Sequence, residues 1–203
     1  MGVYRSSDRP VIPRQFFKSD PIRCARELIG CELVWQGCSG IVVETEAYSV
    51  VNDEASHTFN RPSAREFVAA RQPGAAYVYF NYGVHWMLNV LVKGGREDGF
   101  VLFRAIEPRE GVEKMEARRK QTALANLCSG PGKLAQALGV TGRDHGRDFC
   151  AGEEIGLKER AGRVKVEVDV RIGISKAAHL PWRFLLKESR FVSVRPRRGV
   201  EKK

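Results

Sequence analysis

The sequence lacks the long apolar segments that would mark a membrane or secreted protein. Its 203 residues contain no apolar run near the roughly 20 residues that a membrane-spanning helix needs. The stretch Val84 to Val92, for example, is interrupted by His85 and Asn89. No apolar segment follows the N-terminus, so a secretory signal peptide is not predicted. We therefore expect an intracellular protein, in the cytoplasm or at the nucleoid, with no membrane partner.

Paired cysteines and clustered histidines are also lacking. The five cysteines form no Cys-x-x-Cys pair, and a chain of this length does not need disulfides for stability. The four histidines are scattered and include no His-Glu-x-x-His motif. The sequence therefore predicts buried or unreactive thiols, no metal site and no cofactor.

Positive charge is what the sequence has in excess. It contains 34 lysines and arginines against 24 aspartates and glutamates, a formal net charge of +10. This balance favours a polyanionic partner, nucleic acid first, although many basic soluble proteins bind none. Charge alone leaves the two interpretations open, and the motifs have to separate them.

The order of polar and apolar residues predicts one α+β domain over residues 1–203, with a loosely held arm at 1–19 and a basic tail at 195–203. Helices are predicted at 21–29, 108–120 and 130–138, and strands at 32–36, 41–48, 77–82, 84–93 and 100–107. Residues 49–71 are expected to form a polar loop. Alternating residues from Val164 to Ile174 predict a further strand with one dry and one wet face.

Two carboxylates and a tyrosine share one face of the predicted strand at 41–48. Side chains alternate along a strand, so Glu44, Glu46 and Tyr48 point the same way. Such a pair on a solvent-facing strand would be ordinary surface, but His57 follows a short acidic loop after it. The set supplies a base, an aromatic surface and a second hydrogen-bonding group, which suits hydrolysis at a ring-bearing substrate.

Tyrosines form a second group in the predicted hairpin. Tyr77 and Tyr79 share a face, whereas Tyr82 precedes Gly83 at the expected turn. A buried tyrosine is the ordinary interpretation, but an aromatic on the tip of a basic protein is typical of a side chain that enters a base stack. Asn89 lies on a central strand, where we expect it to read a base or to satisfy a buried hydrogen bond.

These motifs resemble the alkyladenine (3-methyladenine, methylpurine) DNA glycosylase family. The resembling stretches are Ile41 to Tyr48, Asp53 to His57, Tyr77 to Gly83, Asn89, Phe103 to Pro108, Leu127 to Leu134, Arg171 to Ile174 and Trp182 to Phe184. One position departs from the family, since Glu66 stands where asparagine is usual. The resemblance implies a single domain with a curved, partly barrel-like antiparallel sheet and helices packed outside.

The resemblance also implies roles for the motif residues. Glu46 would activate the attacking water as general base, with Arg104 near that water or a phosphate, and Glu44 would be structural. The residues implied to bind the flipped base are Tyr48, His57, Tyr79 and Asn89. The residues implied to contact DNA are Tyr82, Ser129, Gly130 and Lys133. Among them, Asn89 would reject normal guanine, Tyr82 would fill the gap left by the base, and the Ser129 to Lys133 turn would meet phosphate at a helix N-terminus.

The implied activity is that of a monofunctional DNA glycosylase of base excision repair, acting as a monomer on double-stranded DNA. Such an enzyme flips damaged purines of the 3-methyladenine, 7-methylguanine, hypoxanthine and ethenoadenine class and hydrolyses the N-glycosidic bond, leaving an abasic site. No lysine accompanies Glu46 in its motif, so a Schiff-base lyase is not predicted.

Two alternatives come from other classes. A catalytically inert nucleic-acid-binding or damage-sensing module would share the basic, aromatic surface, and excision of a lesion base would distinguish it. A phosphate-binding loop at Gly130 to Lys133 is set aside. Leu127 and Leu134 replace the glycine and the serine or threonine that such a loop requires.

Overall fold

The computed structural model describes residues 9–152 and 154–196, which contain six α-helices and eight strands. The helices are α1 (Pro21–Glu27), α2 (His57–Asn60), α3 (Pro62–Ala70), α4 (Val112–Arg119), α5 (Leu124–Leu127) and α6 (Pro131–Leu138). The strands are β1 (Glu32–Trp35), β2 (Cys38–Ser49), β3 (Ala76–Asn81), β4 (His85–Val92), β5 (Gly99–Pro108), β6 (Ile155–Lys158), β7 (Val166–Asp169) and β8 (Arg183–Leu186). In the part of the chain described, no helix has the length and apolar character to cross a bilayer.

All eight strands form one antiparallel sheet that forks at β2. The order is β3-β4-β5-β2-β1-β6, and β8 pairs with both β2 and β7. Strand β2 keeps β5 on one side along most of its length, while β1 and then β8 pair with its other side. Its register shifts between Val42 and Thr45, and such a bulge bends a strand. The predicted α+β domain with a curled, half-barrel sheet is confirmed.

The main core lies between the sheet and the helices α1 and α6. Helix α6 buries Leu134, Ala135 and Leu138 completely, and it packs on β4 and β5. It ends at Gly139, whose φ of 74° is a left-handed conformation that favours glycine at a helix C-terminus. The helix predicted at 130–138 therefore ends where the glycine that follows it indicates.

A smaller apolar cluster covers the other face of the β3–β5 hairpins. Because neighbouring strand residues point to opposite faces, Tyr77 belongs to this cluster and Val78 to the main core. Helix α3 packs on it through Ala64 and Phe67. The expectation of a polar loop at 49–71 was therefore wrong in its second half. The helices are short and bury only a narrow apolar stripe among charged residues, which weakens their periodic signal.

The N-terminal arm is not loose where the structure describes it. Ile12 and Phe17 are buried in the main core, and the Ile12 N–H donates to the Leu157 carbonyl at 2.7 Å. The prediction of a loosely held arm at 1–19 was thus wrong for residues 9–19, because its apolar side chains complete the core edge. Residues 1–8, and residues 197–203 of the predicted basic tail, lie outside the described residues.

The alternating segment 164–174 differs from its prediction. Only Val166–Asp169 is a strand, and Val168 on the expected dry face is 40% exposed. Asp169 and Arg171, on the expected wet face, are buried instead. Both side chains form buried ion pairs. At these positions the charged side chains are therefore buried, and the neighbouring apolar Val168 is exposed.

Buried ion pairs tie the fork of the sheet together. Arg183 on β8 donates from Nε to Glu44 Oε1 at 2.8 Å and from Nη1 to Asp169 Oδ2 at 3.0 Å. Arg104 on β5 donates from Nε to the same Glu44 oxygen at 2.8 Å. One fully buried carboxylate therefore joins β2, β5 and β8. Burial alone would raise the pKa of Glu44, but the two guanidinium groups and the hydrogen bonds from Ser193 together more than offset it and leave the pKa below its ordinary value.

We expect Glu44→Gln to lower the free energy of unfolding by about 3–5 kcal/mol, because it leaves two buried arginines without a full counter-charge. Urea unfolding near neutral pH measures this. The stabilisation by the ionised carboxylate exists above its unfolded pKa and is lost as pH falls through the lower folded pKa, so the difference from wild type should shrink in acid.

The matched control is Glu107→Gln, which breaks the surface pair with Arg109. A partly exposed pair of this kind contributes less than about 1 kcal/mol. Equal losses in the two variants would contradict the assigned role of Glu44.

Candidate active site

A cavity of about 690 Å³ opens where the end of β2 meets β3, β4, β5, helix α2 and the segment 172–176. Six of the residues predicted from the sequence line it: Tyr48, His57, Tyr79, Tyr82, Asn89 and Arg104. The fold thus brings together side chains from positions 48 to 104 around one opening. Within the described residues, no group of three or more His, Cys, Asp or Glu side chains is arranged to hold a metal ion.

Glu46 lies directly behind the cavity wall. Its carboxylate is fully buried, and three donors that line the cavity hold it. The Tyr48 hydroxyl donates to Oε2 at 2.8 Å, Arg104 Nη1 donates to Oε2 at 3.2 Å, and the Ile172 backbone N–H donates to Oε1 at 2.7 Å. Burial raises the pKa of Glu46 above its ordinary value, although these donors pull in the opposite direction.

Glu44 and Glu46 therefore differ in their protonation chemistry despite being two residues apart. Glu44 has a lowered pKa and is surrounded by two arginines and Ser193, whose N–H and hydroxyl both donate to it. Glu46 has a raised pKa and lies behind the cavity wall. A carboxylate with a raised pKa is the better general base, whereas one held ionised by arginines suits a structural role.

Aromatic residues around His57 form another part of the cavity lining. His57, the first residue of α2, has its Nδ1 at 3.0 Å from the Tyr77 hydroxyl, and its ring centroid lies 4.2 Å from that of Tyr79. Burial, together with the positive charge of Arg61, lowers the pKa of His57 to about 4. The imidazole is therefore neutral near pH 7, with one ring nitrogen as donor and the other as acceptor. Burial raises the pKa of Tyr79 to about 12, so its hydroxyl stays protonated.

Asn89 serves the fold as well as lining the cavity. It pairs with Tyr77 across β3 and β4, is 3% exposed, and donates from Nδ2 to the Tyr77 carbonyl at 3.0 Å. The expected buried hydrogen bond is therefore present. Its amide plane is fixed by the neighbouring strand, which holds the group in one orientation at the cavity surface.

Tyr82 lies at the tip of the β3–β4 hairpin, as the sequence predicted. Tyr82 and Gly83 both have positive φ, 50° and 67°, as do the two central residues of a type I′ turn, and the Val84 N–H donates to the Asn81 carbonyl at 3.0 Å. The Tyr82 side chain is 87% exposed, and Val84 beside it is 63% exposed. The ordinary interpretation of Tyr82 as a buried core ring is thereby excluded.

The predicted phosphate-binding turn lies beside this hairpin. Ser129 forms an isolated β-bridge with Ala105, the neighbour of Arg104 on β5. Gly132 packs against the His85 side chain so closely that a Cβ at position 132 would lie 2.7 Å from the imidazole Cγ. Gly130 caps the start of α6. Of this turn, Pro131 lines the cavity, whereas Ser129, Gly130 and Lys133 do not.

Sequence reasoning missed one wall of the cavity. Residues 172–176 line it next to the 54–57 segment, since Lys176 Nζ lies 3.7 Å from Glu54 Oε2. The resemblance included Arg171 to Ile174 only as a closing strand, with no site role. Glu66, the departure from the family pattern, is exposed on α3 and is not among the residues that line the cavity.

Comparisons with known proteins show the family of this chain. A model of the methylpurine-DNA glycosylase family matches residues 15–190. A protein of Rhodopseudomonas palustris strain HaA2 is 45% identical over 91% of both chains, and one of Agrobacterium fabrum is 42% identical over 91% of this chain and 93% of its own. A third, from Bradyrhizobium diazoefficiens, is 40% identical over 90% of both chains, and all three are provisionally named 3-methyladenine DNA glycosylase. Because these matches span most of the sequence, the chain belongs to the methylpurine-DNA glycosylase family.

Proposed function

We propose that this DNA glycosylase removes alkylated and otherwise damaged purines from double-stranded DNA by a single hydrolytic step that leaves an abasic site. The lesion class is 3-methyladenine, 7-methylguanine, hypoxanthine and ethenoadenine, of which the names of the relatives give the first. The observation that carries the proposal is the position of Glu46, a buried carboxylate of raised pKa directly behind an aromatic cavity.

The aromatic side of the cavity receives the flipped base. Tyr48 and Tyr79 offer ring faces, and a purine made cationic by alkylation is attracted to such faces more strongly than a neutral one. The neutral His57 ring keeps Nε2 available for the base, since Nδ1 is engaged by the Tyr77 hydroxyl. Asn89, held in place by its own strand pairing, excludes the 2-amino group of normal guanine.

Glu46 and Arg104 act at the sugar. As the bond between C1′ and the base nitrogen breaks, its electron pair leaves with the base and positive charge develops on the sugar. Water entering between the residues that line the wall gives a proton to Glu46 and forms the new bond to C1′. The ionised carboxylate stabilises the developing charge, and because Glu46 is buried this interaction is stronger than it would be in bulk water.

An amine nucleophile is disfavoured by the arrangement of the cavity mouth. Lys176 lines the cavity, but its side chain is 70% exposed and its ammonium is paired with Glu54. A Schiff base needs a neutral amine with a lowered pKa, which burial rather than solvent provides. Water activated by Glu46 is therefore the nucleophile we propose.

We expect Glu46→Gln to slow single-turnover excision by about 100-fold or more, or about 3 kcal/mol of barrier, while binding to a lesion-bearing duplex stays near wild type. Because the base works only when ionised, wild-type excision of an already cationic lesion should fall as pH drops through the raised pKa of Glu46. The pH–rate profile of Glu46→Gln should not show this decrease in acid.

Glu44→Gln is the matched comparison, and its loss of excision should be smaller than that of Glu46→Gln. Near-normal excision by Glu46→Gln would remove that residue from the mechanism. A wild-type protein that binds lesions but releases no base would instead favour the inert damage-sensing module.

We expect Tyr82→Ser to weaken lesion-specific binding and excision without lowering the melting temperature, because the ring is 87% exposed and contributes little to the core. Flipping a base costs a few kcal/mol of unstacking, which a ring left in the gap partly offsets. The loss should be smaller when the lesion is mispaired, and it is measured on paired and mispaired duplexes side by side.

Tyr82→Phe keeps the ring and is the control, so it should retain most of the activity. A large fall in the melting temperature of Tyr82→Ser, or equal losses on both duplexes, would count against a role in the base stack.

A further inference from the structure

We propose that Arg171 and Asp53 are positioning residues that set two of the three hydrogen bonds on Glu46. The inference rests on the proposed role of Glu46 as general base. It assigns a task in the reaction to an ion pair that lies outside the cavity lining and that the sequence motifs did not explain.

The pair is fully buried and bidentate. Arg171 Nη1 donates to Asp53 Oδ2 and Nη2 donates to Asp53 Oδ1, each at 2.7 Å, and both side chains are 0% exposed. The guanidinium also donates to the carbonyls of Ala47 and Ala177, at 3.0 and 3.3 Å. Four of its five N–H groups are thus engaged, and the fifth, on Nε, has no hydrogen-bond partner among the described residues. Four hydrogen bonds of fixed direction hold the guanidinium group in one orientation.

The first hydrogen bond on Glu46 depends on Arg171 through the backbone of the next residue. Ile172, whose N–H donates to Glu46 Oε1, is the residue after Arg171. Arg171 anchors this segment to β2 through Ala47 and to the 53–57 segment through Asp53, and it closes its own turn through Ala177. The direction of the Ile172 N–H is therefore set by where the Arg171 side chain is held.

The second hydrogen bond on Glu46 depends on Arg171 through its contact with the Tyr48 ring. The Arg171 guanidinium carbon lies 4.6 Å from the centroid of the Tyr48 ring, whose hydroxyl donates to Glu46 Oε2. Asp53 acts on the same strand end, because its Oδ2 also accepts the N–H of Ser49 at 3.1 Å. A guanidinium packed on an aromatic face restricts that ring, so the position of the Tyr48 hydroxyl depends on the same pair.

The third donor is independent of this pair. Arg104 comes from β5 and is held by Glu44 and Ser193. Loss of the Arg171–Asp53 pair should therefore leave Glu46 buried beside Arg104 but misaligned toward water and the sugar. Misplacement of a reacting group by about 1 Å can cost about 100-fold in rate.

The test measures single-turnover excision by Arg171→Lys, which keeps the charge but loses the bidentate pair and the carbonyl contacts. We expect excision about 10- to 100-fold slower, with affinity for the lesion duplex within about threefold of wild type. Asp53→Asn, which keeps the size of the side chain, should reproduce the loss. In the Glu46→Gln background neither change should slow excision further, because residues that act through one group are not additive.

The control is Arg14→Lys, which breaks a partly exposed ion pair with Asp148 and a contact with the Pro73 carbonyl; neither partner lines the cavity. Its excision rate should equal that of wild type. Wild-type rates for Arg171→Lys and Asp53→Asn, with Glu46→Gln inactive, would overturn the positioning inference alone. The same inference would be overturned if either change slowed excision further in the Glu46→Gln background, or if Arg171→Lys and Asp53→Asn both failed to fold. Normal excision by Glu46→Gln would overturn the proposed function as well.

Discussion

Two carboxylates buried two residues apart on β2 are the constraint on which the rest of the structure depends. A buried carboxylate is costly unless hydrogen-bond donors surround it, and Glu44 and Glu46 are both fully buried. The donors come from β5, from β8, from the segment at Ile172 and from Ser193. The C-terminal third of the chain must therefore close around β2, which accounts for the fork in the sheet.

Arg104 contacts both carboxylates, but among the described residues only Glu44 has a second arginine partner. Its Nε lies 2.8 Å from Glu44, while its Nη1 lies 3.2 Å from Glu46, and Glu44 has Arg183 as a second cation. Glu46 is thus the less compensated of the pair, which agrees with its raised pKa and the lowered pKa of Glu44. One shared arginine, with Arg183 added at Glu44, thus accompanies pKa shifts of opposite direction in two carboxylates of the same strand.

The sequence predicts this site best where its residues are close along the chain. Alternation placed Glu44, Glu46 and Tyr48 on one face, and the turn signal at Gly83 placed Tyr82 at a tip, because both depend on local geometry. The wall at 172–176 was missed because Arg171 meets Asp53 across 118 positions, and no local pattern reveals that partnership. A charged residue in an alternating segment is predicted to be exposed to solvent unless its distant partner is known.

The burial that raises the pKa of Glu46 also opposes folding when the carboxylate is ionised. A group whose folded pKa is raised stabilises the fold below its unfolded pKa, and this contribution is lost as pH rises through the folded value. Ionised Glu46 is therefore a net cost to the native state at the pH where it would act as a base. Glu44, with its lowered pKa, has the opposite sign and offsets part of that cost over the same pH range. The ion network at Glu44 thus offsets part of the cost of an ionised carboxylate buried behind the cavity wall, whose hydrogen-bond donors are in place without DNA.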